Sequence, residues 1–563
     1  MGRLCRFAWS NRRSILTRGD SVRRLSSGVS AGGHGRFGSK GGHLIVFGFP
    51  FSPVNTSVFT HLENGPGVVH SLLEDSEGEM TLVSRSAKHY VADERIHAVD
   101  WNFSISYETG AVSSVGALGL EAYEVIAPYE SLLLEMMGRR LGQVESDAES
   151  PNYLVNEKRR HALRNRIAYW ADLMEKRSFT GYVNSNCPHL VDDLIVYLLA
   201  RAKGLPAVIP YRLPIVQGVS ARLYIPAQLF DHHAVYGADG VVLRPEDISE
   251  SDALRPLPAD LEEIHREVVL GSKTLGQLST QRMTERGISR PAQWARPFIH
   301  PRVRGPMGWL AARIGPRRRK VQVMRTLLAA ERANQRRLGA LTQGVKLPEN
   351  YIYFPLHMQP EASTNPLGGF FSDQLRAVRL LAEALPANWR LAVKEHPHQQ
   401  LALRPEGWHD ALANTPGVTL VPMDWDSFAL QRECRAVATV TGAAAWEAWL
   451  KGKPAIVFGH ILYQSAPAIF PVRTRLEAHE ALRAIREGRA PLPEEIRAYL
   501  GRLAHLSFPG HLDAYINPCL SAEQLDPEEN DREIGRRLAR ALEYQAGCSS
   551  VLAEGVEHKE STG

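Results

Sequence analysis

Residues 436–459 read AVATVTGAAAWEAWLKGKPAIVFG, and the reading of this stretch decides the fold class. Val437 to Val440 is an apolar, β-branched run of the kind that forms a buried strand. Thr441-Gly442 turns the chain, and Ala443 to Leu450 has helical composition. Gly452 closes that helix, and Ile456-Val457-Phe458 begins a second strand. The first N–H groups of a helix have no partner inside it and sit at the positive end of its dipole. A helix that opens directly above a strand end therefore attracts phosphates and carboxylates. The stretch predicts an anion site, with a nucleotide as its leading occupant.

Working outward, the same grammar continues on the N-terminal side. A strand at Tyr351 (YIYFPL) runs into the polar loop HMQPEASTNPLGG, and a helix follows from Ser372 to Leu385. Ser372 or Asp373 can cap that helix, and Leu375, Val378, Leu381 and Leu385 share one face. A strand at Arg390–Lys394 leads into Glu395-His396-Pro397. Next come a strand at Val418–Val421 and a helix over Ser427 to Cys434. Parallel strands deliver their carboxyl ends to one rim. His357, Gln359 and Glu361 are thus expected beside Lys394, Glu395 and His396, with Asp424, Asp426, Thr439, Thr441 and Gly442 close by. Pro397 holds the backbone of His396 extended, which aims the imidazole at a phosphate or a base. Lys394 can supply countercharge or stand solvated at a strand end. Glu447 can accept ribose hydroxyls or merely complement the helix dipole. Trp446 and Trp449 read as core.

Towards the N-terminus, His43 to Phe49 is the first strand candidate, and Leu190 to Lys203 is an amphipathic helix ended by Gly204 before a strand at Pro206–Pro210. His189 and Asp193, at the start of that helix, are the candidates for an acceptor-side base or orienting group, with Asp192 read as a cap. The expected organisation is α/β, two Rossmann-like domains facing a cleft. Residues 43–245 would form the acceptor-side domain and 346–545 the nucleotide-sugar domain, separated by a helical, basic connector or insertion over 246–345. Residues 1–42 carry eight Arg, one Lys and a single acid, and read as a disordered basic leader, whether a targeting segment or a start set too early. Residues 546–563 read as a flexible tail.

Composition narrows the function. The 563 residues carry a net charge of +5, and no apolar run is long enough to cross a bilayer. The five cysteines have no paired spacing, which points to a reducing compartment and away from zinc. His396, His398 and His409 lack companions at ligand spacing, so neither metal nor cofactor is expected. The G-x-S-x-G elbow, the Walker loop and HExxH are missing from the sequence, against hydrolase, ATPase and zinc-enzyme readings. Between Ala295 and Arg337 there are twelve basic residues and one acid, Glu331. This patch suits an anionic membrane surface or simply a solvated helical face, and it lacks a nucleic-acid module.

The segments YIYFPLHMQPEAST, LAVKEHP and VATVTGAAAWEAWLKGKPAIVFG, with the earlier CPHLVDDLIVYLLARAKGLPAV, resemble the bacterial capsule and surface-polysaccharide biosynthesis proteins, a group that includes Kdo transferases. The resemblance covers roughly residues 180–230 and 350–475. It implies a GT-B-type glycosyltransferase that moves a sugar from a nucleotide donor, CMP-Kdo being favoured, to a glycan or glycolipid acceptor. It implies a cytoplasmic location, peripheral at the inner face of the plasma membrane. In CMP-sugar-using members a His-Pro pair and a Ser/Thr-rich turn engage the nucleotide, which implicates His396, Pro397, Thr439, Thr441 and Gly442. Ala443 stands where many relatives carry Thr. The same fold would also suit a CDP-polyol phosphotransferase, or a non-catalytic partner in capsule assembly or export.

Overall fold

The computed structural model describes residues 43–47, 79–84, 94–100, 124–138, 152–189, 191–213, 222–278, 317–359, 361–510 and 526–560, with single positions at 68, 71, 72 and 512. The basic leader lies outside these residues, as does 279–316, which holds the beginning of the basic patch.

Two parallel sheets organise the chain. The first has the strand order β3-β2-β1-β4-β5, built from β1 (His43–Phe47), β2 (Glu79–Ser84), β3 (Ile96–Asp100), β4 (Phe179–Asn184) and β5 (Ala207–Val208). Helices α1 (Glu130–Gly138), α2 (Asn152–Lys176) and α3 (Asp192–Ala202) pack beside it. Short antiparallel strands follow: β6 (Tyr211–Arg212), β7 (Arg222–Tyr224), β8 (Pro226–Gln228), β9 (Asp231–Tyr236) and β10 (Val242–Leu243). Helix α4 (Ala259–Ile264) comes next, then the long α5 (Arg317–Thr342).

The second sheet runs β13-β12-β11-β14-β15-β16. Its strands are β11 (Tyr351–Pro355), β12 (Arg390–Lys394), β13 (Val418–Val421), β14 (Ala436–Thr439), β15 (Ala455–Val457) and β16 (Ile469–Pro471). Between them lie α6 (Gln374–Ala384), α7 (Trp408–Ala413), α8 (Ser427–Glu433) and α9 (Ala443–Leu450), and α10 (Arg475–Arg486) and α11 (Pro493–Leu506) follow. Asp373 caps α6 by accepting from Leu375 N at 3.2 Å. Both sheets are doubly wound, and each reverses its strand order once, between β1 and β4 and between β11 and β14. Ligands of open α/β sheets sit outside the strand ends at such switch points.

The described parts of 246–345 pack into the second unit and do not form a separate connector. Leu257, Leu261, Ile264, Val268, Leu275 and Leu278 share one core with Trp446, Trp449, Leu450 and Tyr499 of the second unit. Trp446 and Trp449 stack at 5.0 Å within it, which makes them core as expected. Helix α5 belongs to the second sheet: Leu338 is in its core, Asn334 donates to Leu401 O at 2.7 Å, and Glu331 accepts from Ala402 N.

The C-terminus also departs from expectation. Strand β17 (Phe508–Pro509) pairs with β7, and helix α12 (Pro527–Glu560) then lies against the first sheet. Ile534, Leu538, Ala541 and Leu542 pack with Leu44, Val46, Val183 and Val208. The Gln545 side chain bonds both Ala207 N and Ala207 O, at 2.7 and 3.2 Å. Each buried Ile, Leu or Val side chain of this set stabilises by about 1.5–3 kcal/mol. The expected domain end at 545 and the tail from 546 therefore give way to one helix that continues to Glu560. None of the described helices is long and apolar enough to cross a membrane.

Candidate nucleotide and transfer site

The second switch point is built around one histidine. His357 follows β11 and is buried. Its Nε2 accepts from Thr441 N at 3.2 Å and lies 2.9 Å from Thr439 Oγ1, which in turn accepts from Gly442 N at 3.2 Å. An imidazole nitrogen that accepts a backbone N–H carries no proton, so the proton is on Nδ1, facing Ser363 Oγ at 3.3 Å. Burial, then the charges of His396 and Arg404, lower the pKa of His357 to about 3. His357 thus locks the turn from within, where the sequence suggested a ligand contact.

That lock shapes the start of α9. Gly442 is its N-cap, and a Cβ there would meet Thr439 Oγ1 at 2.7 Å and His357 Cε1 at 3.2 Å. Glycine is required by this close approach, since its backbone is in the extended region. Gly442 N is held by Thr439, while the N–H groups of Ala443 and Ala444 have no acceptor among the described residues. Thr439 and Thr441 are both committed, Thr441 Oγ1 donating to Ser363 O. The donors left over at this turn are the backbone N–H groups of Ala443 and Ala444. The expected hydroxyl contacts are internal, so alanine at 443 removes no part of the turn.

Two more expected ligand residues are framework. Glu395 is buried and bonded to Arg404 at 2.7 and 3.0 Å and to His409 Nε2 at 3.0 Å. Burial alone would raise its pKa, but the His409 hydrogen bond and Arg404 outweigh that and hold it below the usual carboxylate range. A carboxylate out of water must be paired, and this one is. Gln359 is engaged at both ends, its Oε1 accepting from Arg404 and its Nε2 donating to Ser372 O at 2.6 Å. Arg404 also donates to His357 O at 2.9 Å and lies over the Trp408 ring at 4.3 Å. It ties the loops after β11 and β12 together, 47 residues from His357 in sequence, where no local pattern marks it.

The groups left at the rim are His396, Pro397, Lys394, Glu447 and Glu361. Pro397 is exposed and His396 partly so. His396 Nδ1 accepts from His398 N at 3.2 Å, which leaves its proton on Nε2 as a donor. Burial lowers its pKa, with His398 adding to the effect. Lys394 is buried, donates to Ser427 Oγ at 2.8 Å, and has its pKa lowered by that burial against the pull of Asp426 and Asp424. Asp426 itself caps α8 through Phe428 N at 2.9 Å. Among the described residues the Glu447 carboxylate accepts a hydrogen bond from Gln431 alone, at 3.4 Å, and burial raises its pKa. Glu361 is exposed, yet crowding by protein raises its pKa against the Ser363 bond and the charge of His189.

His189 belongs to the first switch point, just after β4. Its Nδ1 lies 2.7 Å from Cys187 O and its backbone N–H donates to Asp193 Oδ2 at 3.0 Å. A carbonyl can only accept, so Nδ1 is protonated and Nε2 is the basic nitrogen. Asp193 is buried and also accepts from Leu194 N at 2.7 Å, so it fastens this loop and is not itself a base. Val191 between them has φ +23, a costly value for a β-branched residue in a loop that must hold His189 in place. Asp192 pairs with Arg166 and accepts from Trp170 Nε1 at 2.9 Å. The Ser372–Glu135 hydrogen bond at 3.1 Å and the Phe230–His460 ring contact at 5.6 Å join the two domains, and Glu361 lies within electrostatic reach of His189.

Two Rossmann-like domains joined by these contacts define an α/β protein of the GT-B arrangement. Within it, residues 317–467 match the family model described as capsule polysaccharide biosynthesis protein, and that segment contains β11 to α9 with every second-domain candidate. No curated protein matches the chain. Among solved structures it is similar to Thermosulfurimonas dismutans KpsC, a β Kdo 2,7 transferase, at 15% identity over 61% of this chain and 82% of that one, with a TM-score of 0.28. It is also similar to UDP-GlcNAc 2-epimerase from Methanocaldococcus jannaschii, at 10% identity over 80% and 94% of the two chains and a TM-score of 0.22. The Neisseria meningitidis UDP-GlcNAc 2-epimerase gives 12% identity, 85% and 97% coverage and a TM-score of 0.20. These likenesses are too distant to carry chemistry.

Proposed function

We propose that this protein is a glycosyltransferase of capsular or related surface-polysaccharide synthesis, taking its sugar from a nucleotide donor with CMP-Kdo favoured. The observation that supports the reading is the pair of N–H groups at Ala443 and Ala444 without an acceptor among the described residues, at the switch point of the second sheet, together with a histidine after β4 held with Nε2 as its basic nitrogen. The donor phosphate would sit on α9, with His396 Nε2 as a further donor and Lys394 behind it. Glu447 would accept the ribose hydroxyls. Departure of the nucleotide then needs stabilisation of the leaving phosphate, which fixed donors supply without reorganising; one such donor is typically worth about 10²–10³ in rate. His189, positioned by Asp193 and Cys187, would exchange a proton with the acceptor hydroxyl.

The acceptor would be a glycan or glycolipid. Arg325, Arg332 and Arg336 are exposed along α5 beside Leu328, which suits a protein working against an anionic inner-membrane face. Turnover assays with CMP-Kdo, UDP-GlcNAc and CDP-glycerol test the reading. Sugar transfer to a saccharide acceptor supports it. Glycerol-phosphate transfer, or nucleotide binding without turnover on any donor, would replace it with a phosphotransferase or an assembly partner.

A further inference from the structure

Lys394 ends β12 and is 4% exposed, so its ammonium has largely left water. Among the described residues it makes one hydrogen bond, to Ser427 Oγ at 2.8 Å, and no carboxylate comes within ion-pair distance. An ammonium carries three donors, so two of them are unspent. Donors of a buried charge left without acceptors are costly, and they call for an acceptor that the chain does not supply. Ser427 opens α8 and is partly exposed. Its Oγ accepts from Lys394 Nζ and, at 3.3 Å, from the Tyr353 hydroxyl, and it has no further partner among the described residues. A hydroxyl oxygen has two lone pairs and one hydrogen. With both lone pairs taken, Ser427 can only donate. Asp426 already caps α8 through Phe428 N at 2.9 Å, so the serine is free of that duty. Lys394 and Ser427 thus form an adjacent pair of donors with no acceptor between them.

The place of this pair follows from the packing. Tyr353 of β11, Leu430 of α8 and Ala448 of α9 share one apolar cluster, with Ala444 packed against it. Helices α8 and α9 therefore cover the same face of the second sheet, and both open at the rim where its strands end. Gln431 of α8 and Glu447 of α9 join them at 3.4 Å. Packed helices stand about 8–10 Å apart. The donor pair at the start of α8 thus lies about one helix diameter from the Ala443 and Ala444 N–H groups, with the Glu447 carboxylate between the two helices. That is the reach from a phosphate, across a ribose, to a pyrimidine.

Local charge selects among acceptors. Asp424 and Asp426 lie within three residues of Ser427 in sequence, and both act on the Lys394 charge. Two carboxylates already answer one ammonium, so a second anion against the pair would be repelled and a neutral acceptor would not. Cytosine is neutral and offers a ring nitrogen and a carbonyl oxygen side by side as acceptors. Uracil carries an N–H at that ring position. We propose that Ser427, aligned by Lys394 and Tyr353, reads the base of the donor nucleotide and selects cytosine over uracil. This rests on the nucleotide-donor reading and adds the group that sets its base. Uracil would bring its N–H against two donors, with no lone pair of Ser427 left to take it, and a polar group left unpaired is what makes such a site reject the wrong ligand.

Calorimetric titration of the full chain with CMP and UMP tests it, in the wild type and in Ser427→Ala and Tyr353→Phe. The wild type should bind CMP about tenfold more tightly than UMP, the scale of one unmatched buried N–H. Ser427→Ala should lose most of that preference through weaker CMP binding. Tyr353→Phe returns one lone pair to Ser427, so it should narrow the preference from the other side, by strengthening UMP binding about threefold or more. A purely structural role would weaken both nucleotides alike and leave the preference as it was. Equal affinities or a preference for UMP in the wild type, or a preference unchanged in both variants, overturns the assignment and leaves the nucleotide site standing. A wild-type chain that binds neither CMP nor UMP overturns the functional reading, and the base assignment with it.

Discussion

The loops after β4 and β14 occupy equivalent places in their two sheets and solve different problems. After β14 the side chains of Thr439 and Thr441 turn inward onto His357 and Ser363, and backbone N–H groups are left to meet a ligand. After β4 the backbone is what is held, by Asp193, and a partly exposed side chain, His189, has its Nδ1 fixed on Cys187 O. Backbone donors suit a fixed negative charge, because they neither titrate nor rotate. An imidazole with one nitrogen fixed suits a proton in transit. On the proposed function, the difference would give binding to one domain and proton transfer to the other.

The sharpest way to break this division is His189→Ala. It should lower kcat by about 10²–10⁴ while leaving CMP affinity within twofold, measured by single-turnover kinetics and calorimetric titration. An equal loss of affinity would show that both loops bind the nucleotide. Next in size is Arg404→Ala, which leaves the buried Glu395 with only His409 and the His396 backbone N–H among the described residues. It should cost about 3–5 kcal/mol in urea unfolding and weaken CMP binding as well. Gly442→Ala should cost about 1–3 kcal/mol and reduce CMP affinity, because its Cβ forces Thr439 or His357 to move.

The smallest effect concerns pH. His357 and His232 have folded pKa values near 3 and His460 near 4, against 6.5 when unfolded. The unfolded chain therefore binds more protons in that window, so stability is full above pH 6.5 and falls as pH drops towards 3–4. Urea midpoints should decline already between pH 6.5 and 5, where most carboxylates are still ionised. His357→Gln should flatten that decline; a slope unchanged by the substitution would show that the lock does not set it.

Much of this was legible in the sequence because the second domain obeys local rules. Helix α9 falls at Ala443–Leu450 and strands β12 and β13 at Arg390–Lys394 and Val418–Val421, as their composition predicts. The convergence of loops after β11, β12 and β14 follows from parallel topology alone. What could not be read is which strand-end polar groups satisfy one another. Glu395 and His396 are neighbours of similar ligand-like character, yet one is consumed by Arg404 and His409 and the other reaches the rim. Arg404, Gln374 and Gln399 act through contacts 17 to 47 residues away, and periodicity carries no trace of them. Helix α12 shows the same limit at larger scale, since its Gln545 meets Ala207, 338 residues away in sequence.

The claim on which the rest depends is that the α9 N-terminus holds the nucleotide phosphate. Hydrogen–deuterium exchange of the full chain with and without CMP tests it directly. The account predicts slowed exchange in peptides covering 440–447, with smaller protection at 394–399. Protection elsewhere with none over 440–447 would contradict it.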